Sequence, residues 1–179
     1  MNDKIKLVLV SCCAPCSAGA IKQLANGEIC NVDDFIVLFY NPNIFPDTEY
    51  QKRLAEQIKY CESLSVKYAV GEYNHEDWLN CVRGLENEPE RGARCSKCFA
   101  FRFAFAREFA IKNGYNAIAS VFGVSRFKSQ SQVDDAGIAA CAEIPYIPVK
   151  WDETLRQQIN KNTDFYRQNY CGCEFSIRK

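Results

Sequence analysis

The 179-residue sequence has one histidine, one methionine and no excess of charge, its 22 lysines and arginines balancing 22 aspartates and glutamates. A single histidine, His75, excludes a histidine triad or a multi-histidine metal site, and His75 is read as an ordinary surface side chain. Zero net charge removes any global field toward nucleic acid, so such a partner would need a local basic face. No apolar run approaches the roughly 18 residues of a membrane helix. The apolar stretch near the N-terminus is too short for a signal peptide. Together these absences give a cytoplasmic expectation with no membrane partner. The turn after the first apolar run carries neither GxGxxG nor GxxxxGK, so NAD or ATP binding has no motif behind it.

What is abundant is cysteine, with eleven in the chain. In a reducing compartment that count points to metal binding or redox catalysis rather than to a disulfide framework. Seven of the eleven fall in three clusters: Cys12, Cys13 and Cys16; Cys95 and Cys98; Cys171 and Cys173. Cys30, Cys61, Cys81 and Cys141 stand alone and are read as ordinary buried small residues.

The first cluster has the clearest setting. Lys6 to Val10 reads as a buried parallel strand, and Ser17 to Ala25 as a helix. Pro15 suits the first helical turn. The sulfurs therefore sit at a helix N-terminus, where free N–H groups and the helix dipole favour thiolate. In open α/β sheets the carboxyl ends of strands are also where ligands bind.

Strands are expected at 35–40, 67–70, 117–121 and, weakened by Pro145 and Pro148, at an edge near 144–149. Helices are expected at 48–64 behind an Asp47 cap, 75–83, 98–113 before Gly114, 130–141, and from Asp152 to about Gln168. The alternating phenylalanines from Phe99 to Phe105 suggest a strand by period. Their alanine, arginine and glutamate neighbours decide for helix. The alternation of elements predicts a Rossmann-like three-layer parallel sheet with a single site at the carboxyl ends of its strands. No repeat or linker divides the chain, so residues 1–179 are read as one α/β domain.

Seven thiolates exceed the four that one tetrahedral zinc or one cubane cluster takes. Three readings follow from the residues alone. The cysteines could hold an iron–sulfur centre with or without a neighbouring metal, or a zinc that staples the tail in a binding domain. Alternatively, Cys13 and Cys16 could form the redox dithiol of a disulfide reductase or sulfur carrier.

Five motifs, in order along nearly the whole chain, carry a resemblance. They are Ser11-Cys12-Cys13-Ala14-Pro15-Cys16, Tyr40-Asn41-Pro42-Asn43-Ile44, Glu49-Tyr50-x-x-Arg53, Arg94-Cys95-x-x-Cys98 and Tyr166-Arg167-Gln168-x-Tyr170-Cys171-Gly172-Cys173. Together they resemble the QueH family of epoxyqueuosine reductases. The resemblance implies a fold of the nucleotide α-hydrolase-like (HUP) type. It also implies reduction of epoxyqueuosine to queuosine at the wobble position of tRNA, the last step of queuosine synthesis, without cobalamin.

It further implies an iron–sulfur cluster (4Fe-4S), a second mononuclear iron or other metal, and an electron donor yet to be identified. Its ligand pool would be Cys12, Cys13, Cys16, Cys95, Cys98, Cys171 and Cys173, with the tail 166–179 folding back to the metal site. Losing an epoxide oxygen also needs an acid, for which Tyr40, Asp47, Tyr50 and Tyr166 are candidates. Asn41, Asn43, Arg53, Arg102 and Arg167 are candidates for binding substrate. Arg91, Arg94, Lys97, Arg126 and Lys128, with Arg167, Arg178 and Lys179, form the candidate tRNA-binding patch.

Overall fold

A computed structural model describes residues 4–177. Arg178 and Lys179, part of the expected basic patch, lie outside those residues. The strand β1 (Ile5–Ser11) is one of the sheet's two inner strands, and its run from Leu7 to Val10 is fully buried. A parallel strand covered on both faces needs such a continuous apolar run. β1 pairs in parallel with β2 (Val32–Phe39) on one side and with β4 (Ala117–Ser120) on the other. β3 (Tyr68–Val70) adds to β2, giving the order β3-β2-β1-β4. The chain therefore winds outward from β1 to β3 and then crosses back to β4. Such a reversal opens a crevice at the carboxyl ends of the two strands that flank it, here β1 and β4.

The helices are α1 (Ala14–Ala25), α2 (Asp47–Ser63), α3 (His75–Val82), α4 (Ala93–Asn113), α5 (Gln130–Ala140) and α6 (Glu153–Asn162). The phenylalanine alternation belongs to a helix, as the surrounding residue types indicate. Phe99 and Phe103 enter the core against Phe122, with ring centroids 6.0 and 5.6 Å away. Phe101 and Phe105 lie on the adjacent stripe and stack on Tyr40 at 6.2 and 3.8 Å. Gly114, at φ 73°, closes α4 in the left-handed conformation that glycine adopts without strain.

Four local expectations are corrected. The segment 144–149 is not a strand, since it touches the sheet through one bridge between Ile118 and Tyr146. Pro145 and Pro148 lack the N–H groups that a longer ladder needs. Asp47 lies inside the first turn of α2, and Pro46 takes the capping position. α4 begins at Ala93, five residues before the expected Cys98, so its first turns carry both Cys95 and Cys98. α6 stops at Asn162 rather than near Gln168. Beyond it the chain extends so that Phe165 can pack with Ala14 and Ala18 of α1 and against Tyr60. α1 and α6 meet closely at Gly19, where a Cβ would lie 2.9 Å from Arg156 Cβ.

Candidate metal centre

Cys12 and Cys13 follow the end of β1, and Cys16 lies in the first turn of α1. Cys13 has extended backbone (φ −173°, ψ 155°) and occupies the α1 capping position without offering a side-chain cap. The helix N-terminus is thus left open to the sulfurs. All three Sγ atoms are buried and lie within 4.8 Å of one another, the only such ligand group of three or more among the described residues. Cys12 and Cys13 Sγ are 3.9 Å apart.

Thiols this close cannot all ionise independently. Contacts from the Cys13 and Cys16 thiols hold Cys12 well below its ordinary pKa, with further help from Lys128 and Arg102. Burial pushes Cys13 up to about 12. The contact with Cys12 pushes Cys16 well upward. One site, three sulfurs and one favoured negative charge form a donor set that a cation can complete.

The supports around the sulfurs are polar, and all but the half-buried Gln168 are buried. Gln168 Nε2 donates to Cys13 Sγ at 2.8 Å. Lys128 Nζ lies 4.0 Å from Cys12 Sγ. Burial opposes the charge on Lys128, but Cys12, Cys171 and Cys16 outweigh it and raise its pKa. On α2, Gln57 Oε1 accepts from Ser11 Oγ at 2.6 Å and from Ser17 Oγ at 3.0 Å, bracketing the cysteine turn. Asn41 Nδ2 donates to Ser11 O at 3.0 Å, and Arg102 donates to Tyr40 O at 3.2 Å and to Asn41 Oδ1. The Arg102 guanidinium also lies 3.7 Å from the centroid of the Phe122 ring.

The other four clustered cysteines are arranged more loosely. Cys95 and Cys98 come from the start of α4, while Cys171 and Cys173 come from the tail. Burial raises Cys95 and Cys98, and neighbouring Cys171 adds to both. Cys173 is pushed up to about 12 by burial and by Cys98 and Cys171. Cys98 and Cys173 share an apolar pocket with Trp78 and Val82.

The tail rests on α2 and on the loop before it. Arg53 donates to Cys171 O at 3.0 Å and to Tyr170 O at 3.3 Å while paired with Glu49 at 2.7 Å. Phe45 N donates to Gly172 O at 2.9 Å. His75 is not a surface side chain. Its ring bonds Pro42 O at 2.7 Å and Glu174 at 2.8 Å, between the rings of Phe45 and Trp78.

Other sequence candidates are dispersed. Arg94 is 2% exposed and its guanidinium holds the carbonyls of Leu85, Glu86 and Glu88, so it clamps a loop instead of facing tRNA. Lys128 faces the sulfurs and not solvent, for the reason of charge just given. Arg91, Lys97, Arg126 and Arg167 remain exposed. Asn41, Arg53 and Arg102 are buried and committed to protein partners, whereas Asn43 is buried with its Oδ1 unpaired among the described residues. Tyr40 and Tyr50 are buried in aromatic stacks, and Tyr166 Oη donates to Glu49 at 2.6 Å. Asp47 is exposed at the start of α2. Among the isolated cysteines, Cys61 and Cys141 are buried as read, but Cys30 is exposed and Cys81 partly so. Cys30 lies on the turn before β2 and is exposed, while Ile29 and Val32 beside it pack against the core.

Sequence reading passed over Gln57 and named Glu49, like Gln168, only within a motif and without a role. The first two lie with Arg53 and Cys61 at intervals of four on α2, a spacing that puts them on one face. Their polar letters hid a buried stripe.

The profile of the family described as "Epoxyqueuosine reductase QueH" matches residues 7–179. The chain belongs to the QueH family. A protein of Acinetobacter baylyi described as epoxyqueuosine reductase QueH is 39% identical, with 97% of this chain and 81% of that protein covered. The Histophilus somni protein of the same description is 38% identical over 97% of this chain and 72% of its own length. The Thermotoga maritima one is 28% identical over 93% and 87%. Among solved structures, the U34-tRNA thiolase NcsA of Methanococcus maripaludis, described with its [4Fe-4S] cluster, superposes with a TM-score of 0.62 at 16% identity. That match covers 99% of this chain and 63% of NcsA, and it places the QueH chain in the same HUP-type α/β fold. No described helix is long and apolar enough to cross a membrane.

Proposed function

We propose that this chain reduces epoxyqueuosine in tRNA to queuosine at an iron–sulfur centre held by Cys12, Cys13 and Cys16. The observation that carries this reading is the convergence of three buried thiols at the N-terminus of α1. The donor set fits the group, because thiolates are the ligands such clusters take and an open helix N-terminus offsets their charge. A third thiol within reach of Cys13 and Cys16 favours metal over an isolated dithiol.

Opening the epoxide to an alkene consumes two electrons and two protons and releases the oxygen as water; a bound cluster would supply the electrons singly. The protein's own residues prepare the ground. Lys128 and Arg102 place positive charge beside Cys12. Gln168 fixes Cys13 by donating to its sulfur. Gln57 and Asn41 hold the turn, and burial keeps bulk water from the sulfurs. Cys95, Cys98, Cys171 and Cys173 are the ligands available for a second metal, and cobalamin is not required. The electron donor is a separate protein or small reductant.

The test is metal and acid-labile sulfide analysis of anaerobically purified protein, followed by nucleoside analysis of treated tRNA. Iron with matching sulfide, and conversion of epoxyqueuosine to queuosine, are expected. Zinc without sulfide, before and after reconstitution, would sink the cluster and leave a zinc-stapled domain.

A further inference from the structure

The crevice at the reversal between β1 and β4 opens into a cleft of about 490 Å³ that reaches Cys16. On one wall is the loop after β4, with Arg126 and Phe127; on the other are Arg156, Arg167 and Gln168 from α6 and the tail. Its volume lies within the roughly 300–1,000 Å³ of small-molecule sites. Two clefts of similar size, about 510 Å³ between Gly123 and Trp151 and about 560 Å³ beside Gln132, reach no cysteine. The cleft carries three guanidinium groups against the single carboxylate of Glu153, which is already paired with Arg156 at 2.8 Å. Arg126 lies over the half-buried Phe127 ring, 4.9 Å from its centroid. Gln168 joins the cleft to the metal centre through its bond to Cys13.

We propose that this cleft receives the modified nucleotide of the anticodon loop, flipped out of its stack, with its base on Phe127 and its flanking phosphates on Arg126 and Arg167. The proposal rests on the reading above that tRNA is the substrate. A base must leave its stack to reach a buried reactive centre. Single-stranded nucleotides are held by aromatic stacking and by arginine on the backbone, and this cleft offers both beside a buried sulfur. The chain's zero net charge is no obstacle, because the positive groups are gathered at one opening. Two residues of the cleft lining, Asn160 and Gln168, each keep a buried side-chain oxygen without a partner among the described residues.

The experiment measures the affinity of the anaerobically reconstituted protein for epoxyqueuosine-bearing tRNA over a range of salt. Phe127→Ala is expected to weaken binding about 10-fold, and Phe127→Leu, which keeps apolar volume, to do the same. Phe127→Tyr should retain affinity. Arg126→Ala and Arg167→Ala should each reduce the slope of log affinity against log salt by about 0.7. Iron and sulfide content should stay at the wild-type level in every variant. Lys52→Ala, in the separate cleft between Pro46 and Tyr170, should bind normally. Unchanged affinity and slope in the Phe127 and arginine variants, with wild type active, would overturn the cleft alone. A loss confined to Lys52→Ala would overturn it too. Wild-type protein that neither binds this tRNA nor converts its epoxyqueuosine would overturn the underlying reading and the cleft with it.

Discussion

The two groups of cysteines reach their positions by different routes. Cys12, Cys13 and Cys16 belong to one strand-to-helix junction, so forming β1 and α1 brings their sulfurs within 4.8 Å. Cys95, Cys98, Cys171 and Cys173 depend on docking a tail against α4, and no three of them come within that mutual distance. A site built on one local junction survives loosening elsewhere. A site assembled from distant segments inherits the weakness of every contact that holds them. In this chain those contacts include Arg53 on the tail carbonyls, His75 on Glu174, and Phe45 N on Gly172 O.

The comparison breaks most sharply at the local junction. Cys13→Ser should abolish iron and sulfide binding by the compact group and cut turnover by more than about 100-fold, beyond what a change outside the ligands costs. Cys171→Ser should leave that iron and sulfide in place. Equal loss in both variants, measured by metal and sulfide analysis, would mean that the two groups form one centre.

Next in size is the buried ion pair under the tail. Arg53 and Glu49 side chains are only 2% and 8% exposed. Arg53→Met leaves the buried Glu49 charge with only its bond from Tyr166 and frees two tail carbonyls, for an expected loss of about 3–5 kcal/mol in urea unfolding. Hydrogen exchange should then accelerate in the tail more than in β1. Uniform acceleration would count against a separately docked tail.

Gly172 sits at φ +114°, where an added Cβ would come within 3.0 Å of Arg53 Nη1 and Ile44 Cγ1. Gly172→Ala should cost about 1–3 kcal/mol and lower metal uptake at Cys171 and Cys173 while sparing the compact group. Normal stability and normal metal content would show that the tail can shift at no cost. The smallest effect belongs to exposed Cys30, whose change to serine should stay within about 0.5 kcal/mol and leave metal content intact.

The legible parts of the fold were those written in contiguous residues. The run at β1, the proline-marked start of α1 and the glycine stop of α4 each state a local preference, and all three formed where read. The expected strand at 144–149 failed because pairing depends on a neighbour, and two prolines left one bridge to make. The end of α6 was misplaced because the core claims Phe165, and no helical propensity records that claim.

By itself the sequence determined the sulfur junction, because the motif, its strand and its helix lie side by side and need no distant partner. It also determined the family, because five motifs follow one another in order along the chain. Only the tertiary structure decided which charged groups are buried. The sequence offers Arg53 and Arg102 to substrate and Arg94 and Lys128 to tRNA, yet each is 7% exposed or less. A buried charge is tolerable only where carbonyls, carboxylates or thiolates from elsewhere in the chain meet it. Those partners are supplied by the fold: Tyr170 and Cys171 for Arg53, the Leu85–Glu88 turn for Arg94, Tyr40 and Asn41 for Arg102, and Cys12 for Lys128.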